Sequence, residues 1–154
     1  MNRSIMKFAL LGFVIVAAAV FIIAGPSGGS EKRAFNPPGA PADLPFSNGL
    51  LVGNTLYLAG QQGLVNGKVV PGGIGPETKA ALEIIQSILK QAGFQMTDVV
   101  TVTVYLSDVK DFAEMTRVYK TMFPQPRPAR ATVQVAGLVN NARVEISAIA
   151  VKQH

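Results

Sequence analysis

Hydrophobic and polar positions change period along the chain, and the changes predict its elements. In GLLVGNTLYLAG, Gly49 to Gly60, two apolar runs flank Gly53-Asn54, a two-residue step whose leading glycine suits the type II′ turn of a β-hairpin. KVVPGG, from Lys68, continues as a short strand and turn. Gly75-Pro76 then opens a helix, with proline expected at the first helical position; Ala81, Ile84, Ile85, Ile88, Leu89 and Ala92 follow at helical spacing until Gly93 closes it. VVTVTVYL, Val99 to Leu106, alternates instead: Val100, Val102, Val104 and Leu106 point one way, Thr101, Thr103 and Tyr105 the other. The first face is predicted to meet helices. The second is only half polar, which implies that another copy of the sheet covers it in an oligomer. Asp108 is placed to cap a second helix with Phe112, Met115, Val118, Tyr119 and Met122 as its buried stripe, and Pro124 ends it. Two last strands, about Ala131 to Val135 and Arg143 to Val151, complete the order β-β-(β)-α-β-α-β-β. Hairpin-paired strands with helices on one face make an α+β sandwich.

The N-terminal pattern is different. MNRSIMK, with two positive charges and no acid, precedes an unbroken apolar run from Phe8 to Ala24. Its 17 residues would form a helix of roughly 25 Å, short for a bilayer span and long for a signal-peptide core. Residues 1–24 therefore read as a membrane anchor or signal peptide. The uncleaved anchor is preferred because Ile22 breaks the small-residue step that cleavage at Ala24 would need. Arg3 and Lys7 would stay on the cytoplasmic side, placing the body of the protein on the extracytoplasmic (periplasmic or extracellular) side. Residues 25–44, rich in Gly, Pro and Ser, read as a linker, and 45–154 as one domain.

Composition narrows the chemistry. There is no cysteine, so disulfides, thiolate catalysis and cysteine-based metal sites are excluded. The single histidine, His154, is the last residue and cannot build a metal site or a serine-type triad. The net charge of +5 includes Arg3 and Lys7, and no basic run follows Ser30, so no nucleic-acid partner is expected.

The remaining candidates lie on the last two strands. Prolines 124, 126 and 128 stiffen the approach to RATVQV, in which Arg130, Thr132 and Gln134 share one face. In the last strand Glu145 shares its face with Ser147 and Ile149. On neighbouring strands lining one crevice, Arg130 would grip a planar anion bidentately and Glu145 would hold or activate a water. The alternative is a cross-strand ion pair contributing roughly 1 kcal/mol or less, and spacing alone favours it. Glu114 and Arg117, three apart, read as a solvated helix pair. Gly60 is either a close-approach point for a ligand or a strand-end turn glycine.

Longer motifs carry a resemblance. PFSNGLLVGNTLYLAGQQGL, VVPGGIGPETKAALEIIQSILKQAG, DVVTVTVYLSDVKDFAEM, PARATVQV and VEISAIAV, in this order, resemble the Rid family, the YjgF-type reactive-intermediate deaminases, over about residues 41 to 152. The resemblance implies a chorismate-mutase-like α+β fold, a sheet with two helices on one face, assembled as a homotrimer with ligand clefts between subunits. It implies hydrolysis of enamines and imines of 2-keto acids, of the 2-aminoacrylate type, to keto acid and ammonia without a cofactor. By position, Arg130 matches the arginine that binds the substrate carboxylate and Glu145 the acid near the hydrolytic water. Gly60 and Thr132 fall where the family lines its pocket. The chain departs from the family at Phe46, usually tyrosine, at Ala59, usually serine, at Thr116, usually asparagine, and at Thr132, often cysteine. A binding module for small carboxylates without turnover is therefore the alternative reading, and RNA binding or cleavage, ascribed to some relatives, is a third.

Overall fold

The computed structural model describes residues 31–37 and 39–153. The apolar run at 8–24 and His154 lie outside them. Among the described residues no helix is long and apolar enough to cross a membrane.

The principal sheet has six strands: β1 (Lys32–Phe35), β2 (Gly49–Val52), β3 (Thr55–Gln62), β6 (Val99–Leu106), β7 (Ala129–Gln134) and β8 (Val144–Val151). Their spatial order is β1-β2-β3-β8-β6-β7. Neighbours are antiparallel except β6 and β7, which run parallel because the helix α2 (Phe112–Met122) crosses between them. A separate two-stranded ribbon joins β4 (Leu64–Val65) to β5 (Lys68–Val69). Helix α1 (Ile74–Gln91) packs beside α2. The expected α+β architecture, a sheet with two helices, is the one observed.

The core lies between helices and sheet. Leu82, Ile85, Ile88 and Leu89 of α1 meet Leu56, Ile146 and Ala150 of the strands, all buried. Loss of such aliphatic side chains costs about 2–5 kcal/mol each. Chain reversals follow local chemistry. Of the hairpin pair at 53–54 only Gly53 has positive φ, 60°, as a type II′ turn requires. Gly93 has φ 81° and ends α1 in a Schellman arrangement: its N–H donates to the Lys90 carbonyl at 3.1 Å and the Phe94 N–H to that of Leu89 at 2.8 Å.

Several expectations are corrected. Lys32–Phe35, inside the expected linker, is an edge strand on β2; its polar look follows from having a neighbour on one side only. Asn66-Gly67, both with positive φ, closes the β4–β5 ribbon as a type I′ turn, for which asparagine-glycine is the preferred pair. Helix α1 begins at Ile74, so Pro76 stands third rather than first, still within the turn whose N–H groups lack intrahelical partners. Asp108 caps the short 3-10 turn Val109–Asp111, accepting from the Lys110 N–H at 2.9 Å, and not α2 itself. Val100 was expected to be buried and is 48% exposed. A register shift between Val99 and Thr101 turns Val99 inward in its place. Phe112 is also exposed, at the open end of α2 beside Arg130.

Candidate active site

Arg130 and Glu145 are not on neighbouring strands: β6 runs between β7 and β8. Arg130 is in register with Val102, and Val102 with Ala148, a row on the helix-covered face. Glu145 is in register with Tyr105, and Tyr105 with Val133, a row on the opposite face. Side chains on adjacent residues of a strand point to opposite sides, so this difference of parity separates the two groups across the sheet. In one chain they neither share a crevice nor form the ion pair that spacing favoured. The six positions singled out beside Glu145 fall into two half-sites.

The first half-site surrounds Glu145. A cleft of about 750 Å³ is lined by Glu145, Phe46, Ala59, Gly60, Gln62 and Asn140, among others, with apolar walls from Leu44, Leu64 and Ile84. It is made by an irregularity in β3: Leu58 pairs with Ala148 but Gln61 with Ile146, so β3 carries one residue more than β8 over this interval. The bulge at Ala59-Gly60 reverses the parity of β3, putting Gln62 opposite Glu145. The Glu145 side chain lies over Gly60, where a β-carbon would stand 2.7 Å from Cδ and 2.9 Å from Cγ. Gly60 thus lies within β3 at the bulge and not at a strand-end turn, and what approaches its backbone is the Glu145 side chain. Glu145 Oε2 accepts from Gln62 Nε2 at 2.8 Å, while Oε1 has no partner among the described residues. Ala59 donates its N–H to the Asn48 carbonyl at 2.9 Å, and Gln61 Nε2 donates to Asn48 Oδ1 and to the Ala59 carbonyl, both at 3.1 Å. Buried amides thus hold the bulge at Ala59. Phe46 is 53% exposed on the rim.

The second half-site surrounds Arg130. Its guanidinium carbon sits 4.6 Å from the Tyr119 ring centre and 5.5 Å from that of Phe112. Nη2 donates to Thr116 Oγ1 at 3.2 Å, and Nη1 lies 4.0 Å from the Met115 sulfur. No carboxylate pairs with it among the described residues. The Thr132 hydroxyl and the Tyr119 phenol are buried without hydrogen-bond partners among the described residues. Burial pushes the Tyr119 phenol above its ordinary pKa, with Arg130 and then Arg127 opposing, so the group stays a neutral donor. A cation with spare donors beside two unpaired hydroxyls can receive an anion.

Other polar groups brace the frame. Arg143 makes a bidentate pair with the Asp111 carboxylate at 2.7 and 2.9 Å, and its N–H donates to Glu77 Oε2 at 2.8 Å, anchoring the chain two residues before Glu145. Asp111 raises the Arg143 pKa, chiefly through this hydrogen bond. Glu114 and Arg117 form the exposed helix pair expected, 2.7 Å apart. No group of three or more metal-ligating side chains occurs among the described residues.

Residues 38–152 match the family model described as Endoribonuclease L-PSP. The chain is 48% identical over 116 residues to the Bos taurus protein named 2-iminobutanoate/2-iminopropanoate deaminase, covering 73% of this chain and 85% of the relative. It is 46% identical over 124 residues to the Capra hircus protein of the same name, covering 79% and 90%. Among solved structures it superposes on RidA from the Antarctic bacterium Psychrobacter sp. PAMC 21119 with a TM-score of 0.73 at 34% identity, covering 78% of this chain and 99% of that one. Escherichia coli TdcF with bound serine also gives 0.73, at 31% identity, covering 79% and 99%. With residues 38–152 matched to the family model and three quarters of its length aligned to these relatives, the chain belongs to the Endoribonuclease L-PSP family, which includes the Rid and YjgF proteins.

Proposed function

We propose that the protein hydrolyses imines, and the enamines in equilibrium with them, derived from 2-keto acids. Arg130 would hold the substrate carboxylate and Glu145 would direct the attacking water. The observation that carries this reading is the setting of Glu145: among the described residues one oxygen is tied to Gln62, the other has no partner, and the cleft wall has no basic side chain. As the water oxygen adds to the C=N carbon, the carboxylate takes its proton and the π electrons pass to nitrogen. Proton return to nitrogen and collapse of the carbinolamine release ammonia and leave the keto acid. Orientation supplies much of the rate in a reaction of this kind. The names of the relatives, at 40–48% identity, support the same chemistry.

Because Arg130 and Glu145 face opposite sides of one sheet, a complete site needs the Arg130 half of a second copy beside the Glu145 half of the first. The exposed Tyr57 and Val133 on the open sheet face support such an assembly, with the trimer expected. The RNA reading is disfavoured by the acid in a cleft without basic residues, which repels phosphate. The membrane anchor rests on the hydropathy of residues 8–24, and alkaline extraction of membranes tests it.

The activity test follows keto-acid release from imines generated in situ by an amino-acid oxidase. Acceleration by the wild type, lost in Arg130→Ala and Glu145→Ala, is the expected result. Binding of keto acids by calorimetry without any acceleration would convert the protein into a binding module.

A further inference from the structure

We infer that Gln62 and Asn140 form a two-amide relay that positions the Glu145 carboxylate and leaves Oε1 as its working oxygen; this rests on the deaminase reading above. An ionised carboxylate only accepts hydrogen bonds, so the Gln62 amide must turn its NH2 toward Oε2, as it does at 2.8 Å. The Gln62 carbonyl then faces away and needs a donor, and Asn140 Nδ2 supplies one at 3.0 Å. Each amide thus has a single orientation, dictated from the carboxylate outward.

Two backbone features deliver these amides. The extra residue at the β3 bulge brings Gln62 to the Glu145 side; with an unbroken register position 62 would share the helix-covered side of Leu56 and Leu58. Asn140 stands in a 3-10 turn, Val139–Asn141, with φ 60° and ψ 13°, and Asn141 follows at φ 53°. Two successive left-handed residues other than glycine are uncommon, and asparagine tolerates the conformation best. The turn directs Asn140 back over the cleft whose wall it shares with Gln62 and Glu145. Gln62 is itself buried, so its amide has little freedom to rotate away. Neither residue needs to touch substrate: both act through Glu145 and are positioning residues.

The test compares wild type, Gln62→Leu, Asn140→Gly and the double variant. Glycine at 140 removes the amide while accepting the positive φ, so the turn is kept. For Gln62→Leu the expected result is a kcat lower by about tenfold with KM within about twofold, because orientation of the base is lost and carboxylate binding is not. Asn140→Gly should fall in the same direction by about threefold, and the double variant should be no slower than Gln62→Leu, since the relay acts only through Gln62. An unchanged kcat in Gln62→Leu, a loss confined to KM, or losses that multiply in the double variant would overturn the relay. A second readout does not need turnover: the side-chain amide protons of Gln62, followed by NMR, should shift in Glu145→Ala and in Asn140→Gly. Silence of that resonance in both variants would also overturn it. A wild type that fails to accelerate imine hydrolysis would remove the deaminase reading instead, and the amide spectra would still decide the relay.

Discussion

Replacing Gly60 by alanine should separate catalysis from folding. The φ of Gly60 is not in the left-handed region, so the backbone accepts an L side chain. What the new β-carbon meets is Glu145, whose Oε1, Cδ and Cγ all lie within the distance real β-carbons keep. These atoms are the flexible end of a half-buried side chain next to an open cleft, so Glu145 can swing outward. The cost to folding is then the bond from Gln62 to a charged acceptor, roughly 1.5–3 kcal/mol, partly repaid by hydration of the freed carboxylate. The cost to turnover is larger. A displacement of about 1 Å of a catalytic group lowers rates by as much as 10²-fold. Keto-acid release under saturating imine, beside a thermal melt, measures both. Gly49→Ala is the contrast: its β-carbon would stand 2.6 Å from Ile88 Cγ2 in the closed core, so this variant should lose stability while any folded fraction keeps its kcat. A Gly60→Ala protein with kcat within twofold of wild type would refute the role of Glu145 in directing water.

Two further outcomes test the wider picture. Arg130→Ala and Glu145→Ala should each be inactive alone, yet unfolding and refolding them together should restore about a quarter of wild-type activity, because random pairing joins one intact half-site of each kind at a quarter of interfaces; no recovery would mean that the site does not span two copies. Tyr119→Phe should be about as stable as wild type at pH 7, since the phenol has no partner to lose within the chain. The folded-state pKa of Tyr119 is raised, so folded protein holds the phenolic proton more tightly than unfolded chain, and stability from this group is present below about pH 10 and lost as pH rises beyond it. Melts from pH 8 to 11 should therefore show wild type falling more steeply than Tyr119→Phe, and parallel curves would refute the burial argument.

How much of this was legible in the sequence depends on whether the governing interaction was local. The α1 stripe, the Gly53-Asn54 hairpin and the Gly93 stop were readable because each is set by residues within a few positions. Arg130 and Glu145 stood out as candidates by residue type, and the faces of their own strands agree with the register. Their relation was not readable, because nothing local to β7 or β8 says that β6, thirty residues earlier in the chain, inserts between them. The bulges were hidden for a related reason: one extra residue reverses parity, and Val99, Val100 and Gln62 carry no mark of which side of the shift they occupy. Gln62 gives no signal in the sequence, since an amide has neither charge nor hydrophobic period, and its bond to Glu145 appears only when β3 is set against β8.

The same parity explains why one chain keeps Arg130 and Glu145 in two separate settings. On the helix-covered face, Arg130 at the sheet edge is framed by α2, which supplies Thr116 and the Tyr119 and Phe112 rings but no carboxylate. On the open face, Glu145 is framed by the bulge, which supplies an amide donor but no cation to bind an anion. Had β7 paired directly with β8, the guanidinium and carboxylate could have met and neutralised each other, at a gain of about 1 kcal/mol or less for a partly exposed pair. Insertion of β6 forbids that contact, so both groups keep unused hydrogen-bonding capacity among the described residues. If a second copy brings its Arg130 to the first copy's Glu145, it must do so across a gap, and a small anion with an electrophilic carbon beside it is what that gap is suited to hold.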